Sequence, residues 1–323
     1  MRRREFLNLL GAAAAWPLAG QARQPGKVHV ILWLSTEAQP DPFIAGFRDG
    51  MRGRGYVEGR NLAFVLRYAP GDPAALRAML PEILATPADL IVSSGPATQA
   101  MRAAATDRPV LFAMSGDPLA LGIVRSLARP GRNFTGCTFL SLELARKRVH
   151  MLRELVPGLR TFAALSYSNH PGEPAEHQAT REAADALGLG LAHAPFGSGP
   201  ELDGALERVR ASGAGAVLVF PDAVTMAHRA RIAGFAAAHR LPSMFGWREY
   251  CEAGGLASYG ANQRAMYVRL AAHADRLLRG ADPGELPVEQ PTRFELVVNL
   301  RTARALGLEI PPTFLGGADE LIE

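Results

Sequence analysis

Short runs rich in β-branched and aromatic residues alternate along the chain with longer segments of helical period. In the first half, these runs predict strands at 28–34, 62–68, 89–93, 109–114 and 134–139. Between the second and third runs, Leu76, Leu80 and Ile83 recur with the 3.6-residue period that places them on one face of a helix. Strands that alternate with helices in this way are typical of βαβ units and of a parallel sheet.

The same alternation begins again in the second half of the chain. Strands are predicted at 161–167, 189–195, 216–220, 242–247, 256–260 and 294–299. Helices are predicted at 141–155, 174–187, 201–211, 223–239 and 263–279, with a short helix that ends at Leu306. Two sets of about five strands predict the α/β fold class, with two doubly wound lobes of similar size. Such sheets bind ligands beyond the carboxyl ends of their strands, so two facing lobes would share a cleft.

Several predicted strands end in polar residues or glycine. The candidate ligand-binding residues at these ends are Ser35, Thr36, Ser94, Gly95, Thr98, Asp117, Ser168, Asn169 and Asp222. Gly95 would let a ligand approach the backbone, and free N–H groups in the helix that follows would suit a carboxylate. Ordinary helix capping explains the residues around Gly95 equally well, and Asp117 could either cap its own helix or accept a hydrogen bond from an ammonium group. Five such junctions in both halves favour a cleft lined by short polar side chains.

Known catalytic and cofactor motifs are missing from the sequence. No Gly-x-Gly-x-x-Gly follows a predicted strand, and no Gly-x-Ser-x-Gly occurs. The two lysines, Lys27 and Lys147, exclude a Gly-x-x-x-x-Gly-Lys phosphate loop. The eight histidines show no metal-ligand spacing. The sequence therefore predicts a protein that is not an enzyme, with no cofactor and no metal site.

Other side chains near the strand ends are more simply explained by structure than by catalysis or ligand binding. Glu173 and Glu176 could form an acid–base pair, but a solvated first turn of a helix accounts for both. We interpret His170 and His177 as surface histidines. Aromatic residues that could stack on a flat ligand are more simply explained by packing in the core or hinge: Trp33, Phe112, Tyr167, Trp247 and Tyr250.

Composition and charge narrow the class of protein further. The 323 residues are 48% hydrophobic and 20% charged, which is a globular composition. From residue 23 onward, 32 basic residues stand against 30 acidic ones, with no basic run interleaved with aromatic residues. This balance argues against a nucleic-acid partner. Cys137 and Cys251 could form one disulfide in an exported protein, although two buried thiols are the simpler interpretation.

The amino terminus has the pattern of an export signal. Arg2 to Arg4 precede an apolar stretch from Phe6 to Ala19, and Gly20-Gln21-Ala22 places small residues where a signal peptidase cleaves. The stretch is too short to span a membrane. Arg3-Arg4-Glu5-Phe6-Leu7 resembles the twin-arginine signal, which exports folded proteins. We therefore expect residues 1–22 to be an export signal peptide and the mature protein to be periplasmic.

Longer segments carry a resemblance that covers nearly the whole chain. The segments include FRDGMRGRGYVEGRNLAF (47–64), SGDPLALGIVRSLARPGRNFTG (115–136), LELARKRVHMLRELVP (142–157), WREYCEAGGLASYG (247–260) and LPVEQPTRFELVVNLRTARALGLEIPP (286–312). Together they resemble the family of ABC-transporter substrate-binding proteins, in the group that includes tryptophan- and tyrosine-binding proteins.

The resemblance implies a periplasmic binding protein of type I, with two lobes joined by three crossings. The crossings are expected near 138–141, 259–262 and 284–288. Lobe 1 would contain 23–138 plus 261–285, and lobe 2 would contain 139–260 plus 286–323. The candidate residues named above would line the ligand site between the lobes.

The resemblance also implies a function. A small carboxylate-bearing solute, such as an amino acid, would be captured between the lobes and delivered to an ABC permease in the inner membrane. The protein is expected to be a monomer. Two alternatives stay open: an exported sensory receptor of the same fold, and an exported hydrolase or isomerase that uses Glu173 or Asp117. The second lacks a nucleophile–base motif.

Overall fold

The structure is a computed structural model that describes residues 27–36, 39, 41–69 and 72–323. The export signal predicted at 1–22 lies outside the described residues. Within the described part of the chain, no helix combines the length and the apolar character needed to cross a membrane.

Strands and helices alternate along the described chain. The strands are β1 (His29–Ser35), β2 (Leu62–Tyr68), β3 (Leu90–Ser94), β4 (Val110–Met114), β5 (Phe134–Thr138), β6 (Thr161–Tyr167), β7 (Gly190–Phe196), β8 (Val217–Val219), β9 (Ser243–Phe245), β10 (Ala257–Gly260), β11 (Glu295–Asn299) and β12 (Glu320–Ile322). The helices are α1 (Pro42–Arg52), α2 (Pro73–Ala85), α3 (Pro96–Ala103), α4 (Ser141–Leu155), α5 (Glu173–Ala186), α6 (Leu202–Ala211), α7 (Ala223–Ala227), α8 (Arg229–Ala238), α9 (Arg248–Glu252), α10 (Gln263–Leu278), α11 (Leu300–Leu306) and α12 (Pro312–Leu315).

The strands form two sheets. The first has the order β2-β1-β3-β4-β5, and its paired strands are all parallel. The second has the order β12-β11-β10-β9-β8-β6-β7, in which β10 and β11 run antiparallel and the other paired strands run parallel. We call the parts built on these sheets the first lobe and the second lobe. β3, β4 and β5 are buried along their whole length, as parallel strands covered on both faces are, and β4 (VLFAM) is a continuous apolar run.

Two details of the second lobe differ from the sequence-based expectation. The single helix predicted at 223–239 is wrong, because the chain leaves helical geometry at His228 (φ −100°, ψ 11°) between α7 and α8. The second sheet has seven strands rather than about five. Its edge strand β12 is three residues long, and two of them are exposed, so it carries no alternating apolar pattern that would reveal it.

Helix α10 follows β10 of the second sheet but packs against α1 of the first lobe. The two helices approach closely because α1 presents glycine at the crossing. A Cβ atom at Gly50 would lie 2.5 Å from the Val268 carbonyl oxygen, and one at Gly46 would lie 2.9 Å from that of Arg264. Tyr56 also donates a hydrogen bond to Asp275 on α10 (3.0 Å).

The chain passes between the sheets at three places: after β5, after β10 and before β11. Before the third passage, the segment 286–289 runs beside β5. The Thr135 hydroxyl donates to the Leu286 carbonyl (2.7 Å), and Glu289 forms a parallel bridge with Cys137. The lobe boundaries given above remain a prediction.

Buried polar groups stabilise the second lobe. Glu173 and Glu176 are 8% and 4% exposed, so the interpretation of a solvated helical turn is wrong for both. Glu176 pairs with the buried Arg148 guanidinium at 3.3 Å, and Glu173 accepts a hydrogen bond from Ser166 (2.9 Å). Such burial of charge requires partners, because an isolated ion in an apolar setting is costly.

The two cysteines lie in different lobes. Cys137 is on β5, Cys251 is on α9, and both are free and buried. Burial raises the pKa of the Cys251 thiol to about 12. The two are therefore buried thiols rather than a disulfide.

Glu249 on α9 should make stability depend on pH. Its Oε2 atom has no hydrogen-bond partner among the described residues, and burial raises its pKa from 4.5 to about 7. As pH rises from about 4.5 to 7, the unfolded state loses this proton before the folded state does, so stability falls over that window. We expect Glu249→Gln to match the native protein near pH 4.5 and to be more stable at pH 8, by up to about 3 kcal/mol.

Urea unfolding at pH 4.5 and pH 8 measures the effect. Glu252→Gln, on the exposed side of the same short helix, is the matched control and should show no comparable gain at pH 8. A Glu249→Gln variant that is equally destabilised at both pH values would contradict the prediction.

Candidate functional site

A small cavity lies between the two lobes, at the carboxyl ends of strands from both sheets. It is lined by Phe43, Ser94, Gly95, Ala113, Met114, Ser115, Phe139, Ala223, Trp247, Gln263 and Tyr267. We call it the cleft cavity. Its volume of about 20 Å³ holds about one water molecule. A solute the size of an amino acid therefore requires the lobes to separate before it can enter.

Aromatic rings form much of the cavity wall. The rings of Phe43 and Tyr267 are stacked with centroids 5.2 Å apart, and Phe139 meets Trp247 edge-on at 5.8 Å. These four residues come from α1, from α10, from the chain after β5 and from the chain after β9. The wall is thus assembled from both lobes, and flat apolar faces of this kind suit an aromatic or apolar group.

Three polar atoms of the lining have no hydrogen-bond partner among the described residues. They are the Ser94 hydroxyl, the Trp247 indole N–H and the Gln263 amide nitrogen. Their side chains are 8%, 4% and 2% exposed. Because an unsatisfied buried polar group costs about 1–3 kcal/mol, three of them around one cavity indicate a place where a ligand supplies partners.

The start of α3 lies beside Ser94. Gly95 is the N-cap residue, with φ +48°, a backbone conformation that favours glycine, and no side chain caps the helix. Pro96 at the first helical position has no N–H, and the Thr98 N–H donates to the Gly95 carbonyl (3.1 Å), so these two positions supply no free donor. The positive end of the helix dipole lies next to the unpaired Ser94 hydroxyl, an arrangement that suits an anion.

Of the nine residues predicted to bind a ligand, Ser94 and Gly95 line the cleft cavity. Asp222 directly precedes the lining residue Ala223. One oxygen of Asp222 caps α7 by accepting from the Val224 N–H (2.6 Å), and the other has no hydrogen-bond partner among the described residues. Burial raises the pKa of Asp222, and the nearby His170 ring partly opposes that rise.

Three of the predicted residues are buried away from this lining. Ser35 hydrogen-bonds to Asp41, which caps α1. The Thr98 hydroxyl bonds to that of Ser93 at 3.0 Å. Thr36 is 1% exposed, and its hydroxyl has no partner within the described residues.

The remaining three predicted residues lie at the surface. Asp117 accepts a hydrogen bond from the Leu119 N–H (2.8 Å), so it caps its own turn. Ser168 and Asn169 bond to carbonyl groups at the end of β7, at 3.1 and 2.8 Å. Asn169 also lines a separate groove of about 670 Å³ between the lobes. The ligand-binding role of these residues remains a prediction.

Sequence reasoning missed most of the aromatic lining. Gln263 and Tyr267 stand four residues apart at the start of α10, directly after the second predicted crossing, so they share one face of the helix. Their position directly after a predicted crossing was the sequence signal that could have identified them as lining residues. Phe43 offered none, because its contact with Tyr267 joins positions more than 200 residues apart.

His170 also departs from expectation. It is 7% exposed and buried between the lobes, so its interpretation as a surface histidine is wrong.

Within the described residues, no three His, Cys, Asp or Glu side chains are arranged to hold a metal ion.

The chain is similar to known proteins in sequence and in fold. The family model described as "ABC transporter substrate binding protein" matches residues 27–322. A curated relative, the tyrosine-binding protein of Clostridioides difficile (strain R20291), is 22% identical over 267 residues, covering 82% of this chain and 76% of that protein.

Solved structures extend the similarity to the fold. The ABC domain of Streptococcus pneumonia in complex with L-Trp is 25% identical, with a TM-score of 0.83, and covers 92% of this chain and 100% of that one. A conserved domain protein from Vibrio cholerae is 24% identical, with a TM-score of 0.82, over 91% of this chain and 99% of that one. The fold is that of the type I periplasmic binding proteins, and the predicted α/β fold class with two lobes is confirmed.

Proposed function

Because the chain belongs to the family of ABC transporter substrate-binding proteins, we propose that it binds a free amino acid with an aromatic side chain and delivers it to a membrane permease. The family consists of solute-binding proteins rather than enzymes. The observation that carries the proposal is the cleft cavity, where three unpaired polar atoms and four aromatic rings converge.

The lining matches the two ends of such a solute. The Trp247 N–H and the Gln263 amide nitrogen are donors, and a carboxylate accepts only. The start of α3 favours the same charge. The stacked pair of Phe43 and Tyr267 offers a flat face to an aromatic side chain. The relatives that bind tyrosine and L-Trp support the choice of aromatic amino acids.

Binding would proceed by closure of the lobes about the three crossings. The proposed lobes contain 23–138 plus 261–285, and 139–260 plus 286–323. The packing of α10 on α1 supports the return of the chain to the first lobe. We further propose that residues 1–22 direct export and that the mature protein acts in the periplasm as a monomer.

Calorimetric titration of the purified protein with L-tryptophan, L-tyrosine and glycine tests the proposal. We expect an aromatic amino acid to bind and glycine not to bind measurably. Ser94→Ala removes a buried hydroxyl from the lining, so it should weaken the affinity about 10-fold, as the loss of one hydrogen bond of about 1.4 kcal/mol would do.

Ser212→Ala is the matched control, because Ser212 is an exposed serine at the end of α6 and does not line the cleft cavity. Its affinity should equal that of the native protein. If neither aromatic amino acid binds, the proposed solute class is wrong. If the two serine variants lose affinity equally, the cleft cavity is not the site.

A further inference from the structure

A hydrogen bond between two buried side chains joins the two lobes. His170, which follows β6 in the second lobe, places Nε2 at 3.1 Å from the hydroxyl of Ser115, which follows β4 in the first lobe. Both side chains are 7% exposed. Water therefore competes little for this bond, and it can form only when the lobes are together.

Gly172 leaves the space that the histidine ring occupies, and Gly116 lies in ordinary contact with the same ring. A Cβ atom at Gly172 would lie 2.9 Å from the Cε1 atom of His170, and one at Gly116 would lie 3.6 Å from the same ring. The Gly172 position also comes within 3.6 Å of the Gly116 Cα atom. The backbones of the two lobes thus meet closely around His170, which does not line the cleft cavity.

We propose that the bond between Ser115 and His170 is a latch that stabilises the closed form and slows solute release, with His170 acting as a positioning residue that does not touch the solute. A contact made only in the closed form shifts the equilibrium between open and closed forms toward closure. The effect on release rests on the proposed function, whereas the effect on closure does not.

The latch predicts a defined pattern among variants. A net hydrogen bond has the strength to change an equilibrium about 2- to 10-fold. His170→Ala should therefore reduce the ratio of closed to open protein and speed solute dissociation by about that factor. His170→Gln keeps an amide nitrogen near the position of Nε2 and should restore most of the loss. His150→Ala, at an exposed histidine of the same lobe, is the control and should behave as the native protein does.

Two measurements test the proposal. Small-angle X-ray scattering of the protein without added solute reports the spread between the lobes, and stopped-flow dissociation of L-tyrosine reports release. In the scattering measurement, Ser115→Ala combined with His170→Ala should shift the protein toward the open form no more than either change alone, because both remove the same bond. Ser115 lines the cleft cavity, so solute release is read from the His170 variants alone.

Each outcome bears on the latch. Scattering profiles of His170→Ala and native protein that superimpose would overturn it. Faster dissociation without a change in scattering would also overturn it, because His170 would then act on the solute itself. If neither L-tyrosine nor L-tryptophan binds, the proposed solute class fails, while the scattering comparison still decides the latch.

Discussion

Replacement of Arg148 by methionine is expected to destabilise the protein by about 3–5 kcal/mol, because it breaks a buried ion pair from one side. The Arg148 guanidinium is 1% exposed and lies 3.3 Å from Glu176. It also donates to the Ser141 carbonyl (3.1 Å) and the Tyr259 carbonyl (2.9 Å). Without the arginine, a buried carboxyl and two buried carbonyls lose a donor together. Burial already raises the pKa of Glu176, so its charged form depends on this partner.

Urea unfolding of three variants separates the loss of the buried ion pair from the loss of an arginine at the surface. Arg146 lies on the same helix as Arg148 and forms an exposed ion pair with Glu182 of α5, so Arg146→Met should cost at most about 1 kcal/mol. The double variant Arg148→Met with Glu176→Leu removes both buried charges and should recover much of the loss. An Arg148→Met variant as stable as Arg146→Met would contradict the prediction.

The same arginine connects two of the three passages between the lobes. Ser141 follows the first passage, and Tyr259 is near the end of β10, just before the second. Arg148 thus links the first and second passages through its two hydrogen bonds from within the second lobe. We expect the double variant Arg148→Met with Glu176→Leu to fold but to lack this link between the passages.

Replacement of Gly260 by alanine should be strongly damaging for a change of a single methyl group. A Cβ atom at Gly260 would lie 1.9 Å from the Gly246 carbonyl oxygen, far inside van der Waals contact, and 3.4 Å from Trp247. Gly246 has no room to retreat, because its own Cβ position lies 2.4 Å from Pro221. Overpacking costs typically about 1–3 kcal/mol and more against rigid backbone, so we expect at least about 3 kcal/mol or failure to fold.

Gly234→Ala is the matched control for this substitution. Gly234 is exposed within α8, and nothing lies within 4 Å of its Cβ position. Alanine there should stabilise the protein by about 0.5–1 kcal/mol, because it favours the helix. Thermal unfolding compares the two variants. A Gly260→Ala variant that folds should also bind its solute more weakly, because Trp247 must shift. Equal stability of the Gly260→Ala and Gly234→Ala variants would contradict the prediction.

Local pattern was sufficient to predict most of the fold. The predicted bounds of 62–68, 141–155 and 161–167 coincide with β2, α4 and β6, because α4 has a helical apolar stripe and the two strands are apolar runs with turn-forming residues on both sides. Pattern failed where an element is short, as in α9 and β12, since three to five residues define no period. It failed again at His228, because only the structure reveals where the backbone leaves the helix.

The candidate site was less predictable for a different reason. Ser94 and Gly95 could be found because a strand end followed by glycine and a helix is a local signal. The aromatic wall is set by tertiary contacts, as when Phe139 meets Trp247 more than 100 residues away. Trp33, Phe112 and Tyr250 have equally suggestive places in the sequence, and all three are buried core residues.

The placement of α10 has a consequence for the order in which the chain can fold. The face of α1 around Gly46 and Gly50 is completed by residues that come more than 200 positions later, after most of the second lobe. During synthesis, the first lobe must therefore wait with an uncovered apolar surface until most of the second lobe has been made, and the second sheet is completed later still by β11 and β12. Contacts this distant slow folding and expose the chain to aggregation, so neither lobe can be completed until almost the whole chain has been made.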